Sequence, residues 1–209
     1  MKRFGLLPAV GFLVVLGVLV ATTSAASSSR HPLGHRSRAV TGLTIRWYIV
    51  SLTGGKPPGP LNPGGVASAL SADDSKITLT GSGTFGGPSK KVTGGGNWTT
   101  FDRSGAQSGS GTYKVVSLVS FIEANMQTST PAFTDNIGDL NKRANGAAVL
   151  RIAFSDGSQG VLTIDCHGPG APAGLYEGIA TTKGFKTYYT IEDPAPGVDA
   201  NRTLFHVGV

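Results

Sequence analysis

The stretch AAVLRIAFSDGSQGVLTIDC, residues 147–166, holds two runs of alternating apolar and polar residues on either side of a turn. Side chains along a strand point alternately to opposite faces, and Ser, Asp and Gly in succession favour a tight turn. The stretch therefore predicts a β-hairpin with one apolar face. A three-residue turn at 156–158 sets Ile152 opposite Leu162 and keeps that face continuous, whereas a two-residue turn breaks it.

Short runs of the same kind fill most of the chain. An early run, LTIRWYIVSL at 43–52, is rich in β-branched and aromatic residues. About nine hairpin-connected strands predict an all-β antiparallel fold, either a small β-barrel or a β-sandwich. Glycines inside a run, as at Gly94 to Gly96, mark sharp bends, and we favour the barrel because a small barrel needs such bends. The later runs are KITLTGSGTF, KVTGGGNWTTF, TYKVVSLVSFI, EGIATT, FKTYYTI and RTLFHV.

Two segments depart from the strand pattern. Residues 53–75 are dense in Pro and Gly, which predicts a long loop with one short helical turn near Val66 to Leu70. The segment TDNIGDLNKRAN, 134–145, has apolar residues at helical spacing, with Thr134 or Asp135 as the cap and Gly146 as the stop. We expect at most this one short helix in the domain.

The N-terminal segment has the three parts of a secretory signal peptide. Two basic residues precede an almost wholly apolar run at 4–21, and small residues follow it. We expect a signal peptide at 1–26, cleaved after Ala25 or Ala26, and a protein that is secreted, periplasmic or at the cell surface. An uncleaved anchor is the alternative, because the run approaches the length of a membrane span. After cleavage no membrane span is expected.

The positive charge lies mostly outside the predicted folded body. We interpret residues 27–42 as a flexible basic tail and residues 43–209 as a single β-domain, long enough to bury its own core. Nucleic-acid binding is not expected, because Lys and Arg do not cluster with aromatic residues. The formal charge of +6 falls by five, to +1, without the basic residues of the signal peptide and tail, which are Lys2, Arg3, Arg30, Arg36 and Arg38.

Motifs between Thr93 and Tyr189 resemble those of a family of uncharacterised exported bacterial proteins. The motifs are a Gly-rich W-T-T strand in TGGGNWTTFD, an S-D-G-S hairpin, the C-H dipeptide at 166–167 and the run EGIATTKGF. The resemblance implies an exported β-domain and no particular reaction. It carries over no catalytic residue.

Cys166, the single cysteine of the chain, is followed by His167. Adjacent side chains of a strand point apart, so these two cannot form the hydrogen-bonded pair of a nucleophilic centre. We interpret Cys166 as a core residue on the face of Leu162 and Ile164, and a lone cysteine excludes an internal disulfide. His206 lies between apolar residues, and we interpret it as structural.

The opposite face of the hairpin is polar. In the three-residue register Arg151 and Asp165 lie diagonally, while His167 ends the strand and Glu177 begins the next one. If this group faces a barrel cavity, it would bind a small anionic or polar ligand. Arg151 would then be the hydrogen-bond donor that binds the anion, and His167 would be the proton-transfer group. Facing outward, as is usual for antiparallel sheets, the same residues form a solvated surface.

The sequence favours an exported, non-enzymatic β-domain that binds a small molecule or a cell-surface component. The alternatives are a barrel enzyme or isomerase-like protein with a polar cavity, and a surface structural module tethered by an uncleaved N-terminal segment. No catalytic residue, metal site or cofactor is expected. The histidines are scattered, and the glycine runs lack the strand–loop–helix setting of a phosphate loop.

Overall fold

The computed structural model describes residues 42–53, 59–88, 91–128, 134–195 and 200–208. Strands dominate these residues, and a single 3-10 helix, Leu140–Lys142, lies between the seventh and eighth strands. In chain order the strands are β1 (Thr44–Leu52), β2 (Leu61–Pro63), β3 (Ala67–Ser71), β4 (Lys76–Leu79), β5 (Ser82–Gly86), β6 (Thr93–Phe101), β7 (Gln107–Met126), β8 (Arg143–Phe154), β9 (Gln159–Cys166), β10 (Gly178–Lys183), β11 (Lys186–Glu192) and β12 (Arg202–Val207).

The strands form one antiparallel sheet that closes into a barrel. Ten strands pair in the circuit β12-β1-β5-β6-β4-β3-β11-β10-β9-β8, and β8 pairs with β12 to complete it. β7 pairs with both β6 and β8, and β2 pairs with β1. Closure satisfies the backbone groups that an open sheet leaves exposed at its edges. The predicted all-β small barrel is confirmed over the sandwich.

β4 and β5 are two parts of one strand, interrupted at Thr80 and Gly81. Both parts pair with β6 in the same register. On the opposite edge their partners differ, because β4 pairs with β3 and β5 pairs with β1. Glycines permit the backbones of β5 and β6 to approach closely, because a Cβ at Gly83 would lie 2.2 Å from a backbone oxygen of β6 and Gly94 has φ 127°. Gly94 and Gly95 both have positive φ but lie within β6, which is continuous over Thr93–Phe101, so the sharp bend predicted there stays a prediction.

The barrel interior is filled by one main apolar cluster with aromatic residues at its centre. Phe121 stands between Phe85 and Phe205, with ring centroids 5.1 and 5.2 Å away. Such aromatic pairs contribute about 0.5–1.5 kcal/mol beyond the area they bury. A second, smaller apolar cluster comprises Val50, Leu52, Leu61 and Leu204.

The β8–β9 hairpin has the predicted apolar face but a different register. Leu150, not Ile152, pairs with Leu162. The turn begins one residue earlier than predicted, because Gly157 takes a left-handed conformation with φ 88° and closes it. A shift of two residues keeps every side chain on its own face, so Leu162 and Cys166 are buried as expected.

The predicted loop at 53–75 contains two strands. β2 pairs with the end of β1, and β3 occupies most of the segment for which a helical turn was predicted at 66–70. β3 is stabilised by partners distant in sequence, since it pairs with both β4 and β11. The local Pro and Gly density does not reveal these pairings, so the loop prediction is wrong over β2 and β3.

The predicted helix at 134–145 is reduced to the 3-10 turn. Asp139, not Thr134 or Asp135, is the cap, and its side chain accepts the N–H of Asn141 at 2.9 Å. The rest of the segment enters β8, which continues through Gly146. Pairing of β8 with β7 on one edge and with β9 and β12 on the other outweighs helical spacing in a segment this short.

The predicted signal peptide at 1–26 and all but the last residue of the basic tail at 27–42 lie outside the described residues. Within the ranges that are described, no helix has the length and apolar character needed to cross a membrane. Export and signal cleavage therefore stay predictions.

Candidate functional site

The four residues predicted to converge do not form one group, because Arg151 and Asp165 lie at separate places on the barrel. Arg151 is exposed on the outer face and pairs with Val161, whereas the partner of Asp165 is Ala147. The two side chains therefore line different grooves, and the predicted diagonal contact between Arg151 and Asp165 is wrong. The cause is the register shift at the hairpin turn, which carries β8 two residues along β9 from the predicted pairing.

One end of the barrel holds a cavity of about 360 Å³, which we call the barrel-end cavity. In an antiparallel barrel the end of one strand lies beside the start of its neighbour. Residues from the ends of β1 and β9 therefore meet residues from the starts of β2, β8 and β12 around this cavity. His167 and Glu177 both line it, so the structure brings these two predicted residues together, without Arg151 or Asp165.

The Glu177 carboxylate joins the ends of two strands. Oε2 accepts the backbone N–H of His167 at 2.5 Å, and Oε1 accepts the N–H of Thr203 at 2.6 Å. Burial raises the pKa of Glu177 to about 7, although these hydrogen bonds and the nearby charge of Arg202 act to lower it. Glu177, which lies just before β10, thus connects the end of β9 to the start of β12 through hydrogen bonds.

The His167 ring is exposed at the cavity rim and is oriented by the backbone. Its Nδ1 lies 2.7 Å from the carbonyl oxygen of Leu175. A carbonyl only accepts hydrogen bonds, so Nδ1 carries the proton in this contact. Nε2 is then the nitrogen that accepts in the neutral ring and donates in the imidazolium.

Two arginines supply positive charge to the cavity. Arg143 begins β8 and is only 1% exposed, and its Nε donates to the carbonyl of Leu140 at 3.3 Å. Burial lowers the pKa of Arg143, while the charge of Asp135 opposes that shift, and a guanidinium stays charged in proteins at neutral pH. Arg202 begins β12 and lines the same cavity.

A rim loop, residues 167–171, is held by asparagines on the neighbouring strands. The Oδ1 atom of Asn145 accepts the N–H of Gly168 at 2.7 Å, and its Nδ2 donates to the carbonyl of Pro169 at 3.3 Å. Asn125 donates to the carbonyl of Gly170 at 2.7 Å. These contacts fix the cavity wall before any ligand arrives. Sequence reasoning missed Asn145, because it was assigned to the predicted helix.

Cys166 is buried and chemically quiet. It is 1% exposed, and its Sγ donates to the carbonyl of Thr203 at 3.2 Å and accepts from Gln127 at 3.3 Å. Burial raises the pKa of this thiol well above its ordinary value, so it stays protonated and a poor nucleophile at neutral pH. The predicted burial of Cys166 is confirmed.

A buried Asp–His pair lies outside the candidate site. Nε2 of His206 is 2.8 Å from the Asp135 carboxylate, and both side chains are 1% exposed. The other oxygen of Asp135 accepts the N–H groups of Ile137 and Gly138, so the pair fixes the turn before the 3-10 helix. Burial supports a structural role for His206, and only the fold reveals a partner 71 residues away.

The chemistry available at the barrel end is therefore hydrogen bonding and charge pairing around a partly apolar cavity. Within the described ranges, no group of three or more His, Cys, Asp or Glu side chains is arranged to hold a metal ion. The chain matches no protein-family model and has no significant match among curated proteins or solved structures. Its resemblance to exported bacterial proteins stays a prediction from motifs, so the functional inference depends on geometry.

Proposed function

We propose that this chain is an exported β-barrel protein that binds a small organic anion in its barrel-end cavity, and that it acts by binding and not by catalysis. The supporting observation is the mixed lining of that cavity. Leu52, Leu61 and Leu204 contribute apolar surface, and Arg143 and Arg202 contribute positive charge. A carboxylate with an apolar body matches both kinds of lining, because guanidinium groups hold carboxylates through paired N–H donors.

The size of the cavity favours a small ligand. Ligand-binding pockets usually measure about 300–1,000 Å³, and this one, at about 360 Å³, lies near the lower end. Asn145 and Asn125 hold the rim loop in place. A wall that is already ordered loses little conformational entropy when a ligand binds, which favours affinity.

The titratable groups at the cavity support binding over catalysis. The Cys166 thiol is buried and protonated, and both carboxylate oxygens of Glu177 already accept backbone N–H groups. His167 is left as the group at the rim with a ring nitrogen available for proton exchange. General acid–base chemistry usually needs a positioned partner for such a group, so His167 is better suited to forming a hydrogen bond with a bound ligand.

Arg143 and Arg202 take over the anion-binding role that was predicted for Arg151. Arg151 lies exposed on the outer face of β8. It therefore provides a matched control: a charge of the same type, on the same barrel, outside the cavity.

Thermal melting tests the proposal with hexanoate as the probe and hexanamide as its neutral control. We expect hexanoate to raise the melting temperature, because a ligand that binds only the folded state stabilises it by about 2.7 kcal/mol at one hundred times Kd. Hexanamide should give little shift. Ala171→Phe, which fills the cavity from the rim loop, should abolish the hexanoate shift, and Arg151→Gln should retain it. Equal shifts with both probes, or an undiminished shift in Ala171→Phe, would contradict the proposal.

A further inference from the structure

A second concave surface lies on the outer face of β9, β10 and β11. It measures about 320 Å³ and is lined by Tyr176, Tyr189 and Ile191, with Asp165 also in its lining; we call it the outer tyrosine groove. Tyr176 is 68% exposed and Tyr189 is 58% exposed. Two large aromatic rings left in water around one groove are typical of a binding surface, because neither ring gains its full burial energy in the free protein.

Asp165 lies partly buried against this groove. Its Oδ1 atom is shielded from water and accepts no hydrogen bond from the described part of the chain. Burial raises the pKa of Asp165 to about 6, so the group is still mostly ionised at pH 7. A shielded carboxylate oxygen without a donor is unfavourable, and a cation beside the carboxylate offsets part of that penalty by compensating its charge.

Gly178 leaves the space beside this carboxylate open. It pairs with Asp165 across β9 and β10, and as a glycine it brings no side chain to the groove. Asp165 is also the one charged side chain among the described residues that line the groove. The groove therefore combines a single negative charge with exposed aromatic rings.

We propose that the outer tyrosine groove binds a small organic cation, with its ammonium group on Asp165 and its apolar body against Tyr176 and Tyr189. An ammonium group pairs with the Asp165 carboxylate and compensates its charge. The faces of aromatic rings also attract cations. A neutral polyol would supply hydrogen bonds but would leave the carboxylate charge uncompensated. This site has the opposite charge preference to the barrel-end cavity and lies on the outside of the barrel, so either proposal can fail alone.

An NMR titration of the full mature protein at pH 7 tests the proposal, with benzylammonium as the probe and benzyl alcohol as its neutral isostere. We expect benzylammonium to shift the amide signals of Tyr176, Gly178 and Tyr189, and benzyl alcohol to bind about tenfold more weakly or not at all. No binding of benzylammonium, or equal binding of the alcohol, would overturn the proposal.

Asp165→Asn is the decisive variant. It removes the charge and keeps the shape, and it should fold as well as the parent protein because the carboxylate charge is a cost in the folded state. We expect it to weaken benzylammonium binding about tenfold or more. Glu192→Gln is the matched control, since it removes a negative charge from an exposed position of β11 outside the groove. Equal weakening in both variants would mean diffuse electrostatic attraction and would overturn the site.

A lysine analogue separates a small amine from a protein side chain as the natural occupant. Nα-acetyl-lysine N-methylamide presents the same ammonium group on an aliphatic stem. We expect benzylammonium to bind more tightly, because an aromatic body contacts the two tyrosine rings over a larger area. Tighter binding of the lysine analogue would overturn the assignment to a small organic cation.

Discussion

The carboxylate of Glu177 accepts the N–H groups of His167 and Thr203, so it connects the end of β9 to the start of β12. In Glu177→Gln the amide oxygen can keep one of these bonds, but the NH2 group meets the second N–H as donor against donor. We expect the free energy of unfolding, measured by denaturant titration, to fall by about 1–3 kcal/mol. The exposed Glu192→Gln should change it by less than about 0.5 kcal/mol. Equal losses of unfolding free energy in the two variants would contradict the role of Glu177 in connecting these strands.

The stability of the domain should fall as pH rises from about 4 to about 7. Burial raises the pKa of Glu177 from 4.5 to about 7 and that of Asp165 from 3.8 to about 6. In this interval the folded state keeps protons that the unfolded chain has released, so the free energy of unfolding decreases as pH rises. Urea unfolding at pH 5 and pH 7 measures the difference, and Asp165→Asn should reduce it. Greater stability at pH 7, or no effect of Asp165→Asn, would contradict this linkage.

The buried thiol of Cys166 should react with a maleimide only after unfolding, because it is 1% exposed and protonated. Cys166→Ala should cost little, since it removes a small side chain, whereas Cys166→Asp should be severe because it buries a charge. Labelling of native protein at the rate of a free thiol would contradict the core position.

At the level of elements, the close approach of the β5 and β6 backbones depends on glycine. Gly94 has φ 127°, and a Cβ there would lie 2.5 Å from the carbonyl oxygen of Ser82. Gly105 also has positive φ, 82°, but a Cβ added to it would have no neighbouring atom within 4 Å. We expect Gly105→Ala to cost about 1 kcal/mol through backbone strain and Gly94→Ala to cost distinctly more. Thermal unfolding compares the two, and equal losses would mean that the close approach is not needed.

Strand patterns in the sequence were enough to predict β1, β9, the part of β8 from residue 147 and the all-β antiparallel class, while the glycine runs favoured the barrel. It did not predict β3, whose partners β4 and β11 hold it in place although its own sequence resembles a loop. It also gave the wrong register for the β8–β9 hairpin, because that register depends on which residue takes the left-handed conformation, and Gly157 does. The face that a side chain occupies can thus be read from alternation, whereas the hairpin register depends on the conformation of the turn and a short strand such as β3 depends on distant partners.

The candidate site was only partly predictable for the same reason. His167 and Glu177 are close in sequence, and their contact follows from the turn between β9 and β10. Arg143 and Arg202 reach the same cavity only because β8 pairs with β12 when the barrel closes. No local pattern indicates that closure, so the arginine chosen from the hairpin alone, Arg151, was the wrong one for the cavity.

For the whole molecule, export is the first prediction, and it depends on the basic, apolar and small-residue segments in succession. We expect the mature protein in the extracellular or periplasmic fraction, beginning at Ala26 or Ser27. Intact-mass measurement gives the start directly. A full-length chain with Met1 in the membrane fraction would favour the tethered module.

Barrel closure also creates the cavity on which the proposed function depends, because it gathers the arginines, the apolar side chains and the rim loop at one end. The most direct test is an NMR titration of the mature protein with hexanoate. We expect saturable shifts in the amide signals of the rim loop, 167–171, and of Thr203, all of which disappear in Ala171→Phe. No saturable shifts, or shifts that persist unchanged in Ala171→Phe, would contradict binding at the barrel end.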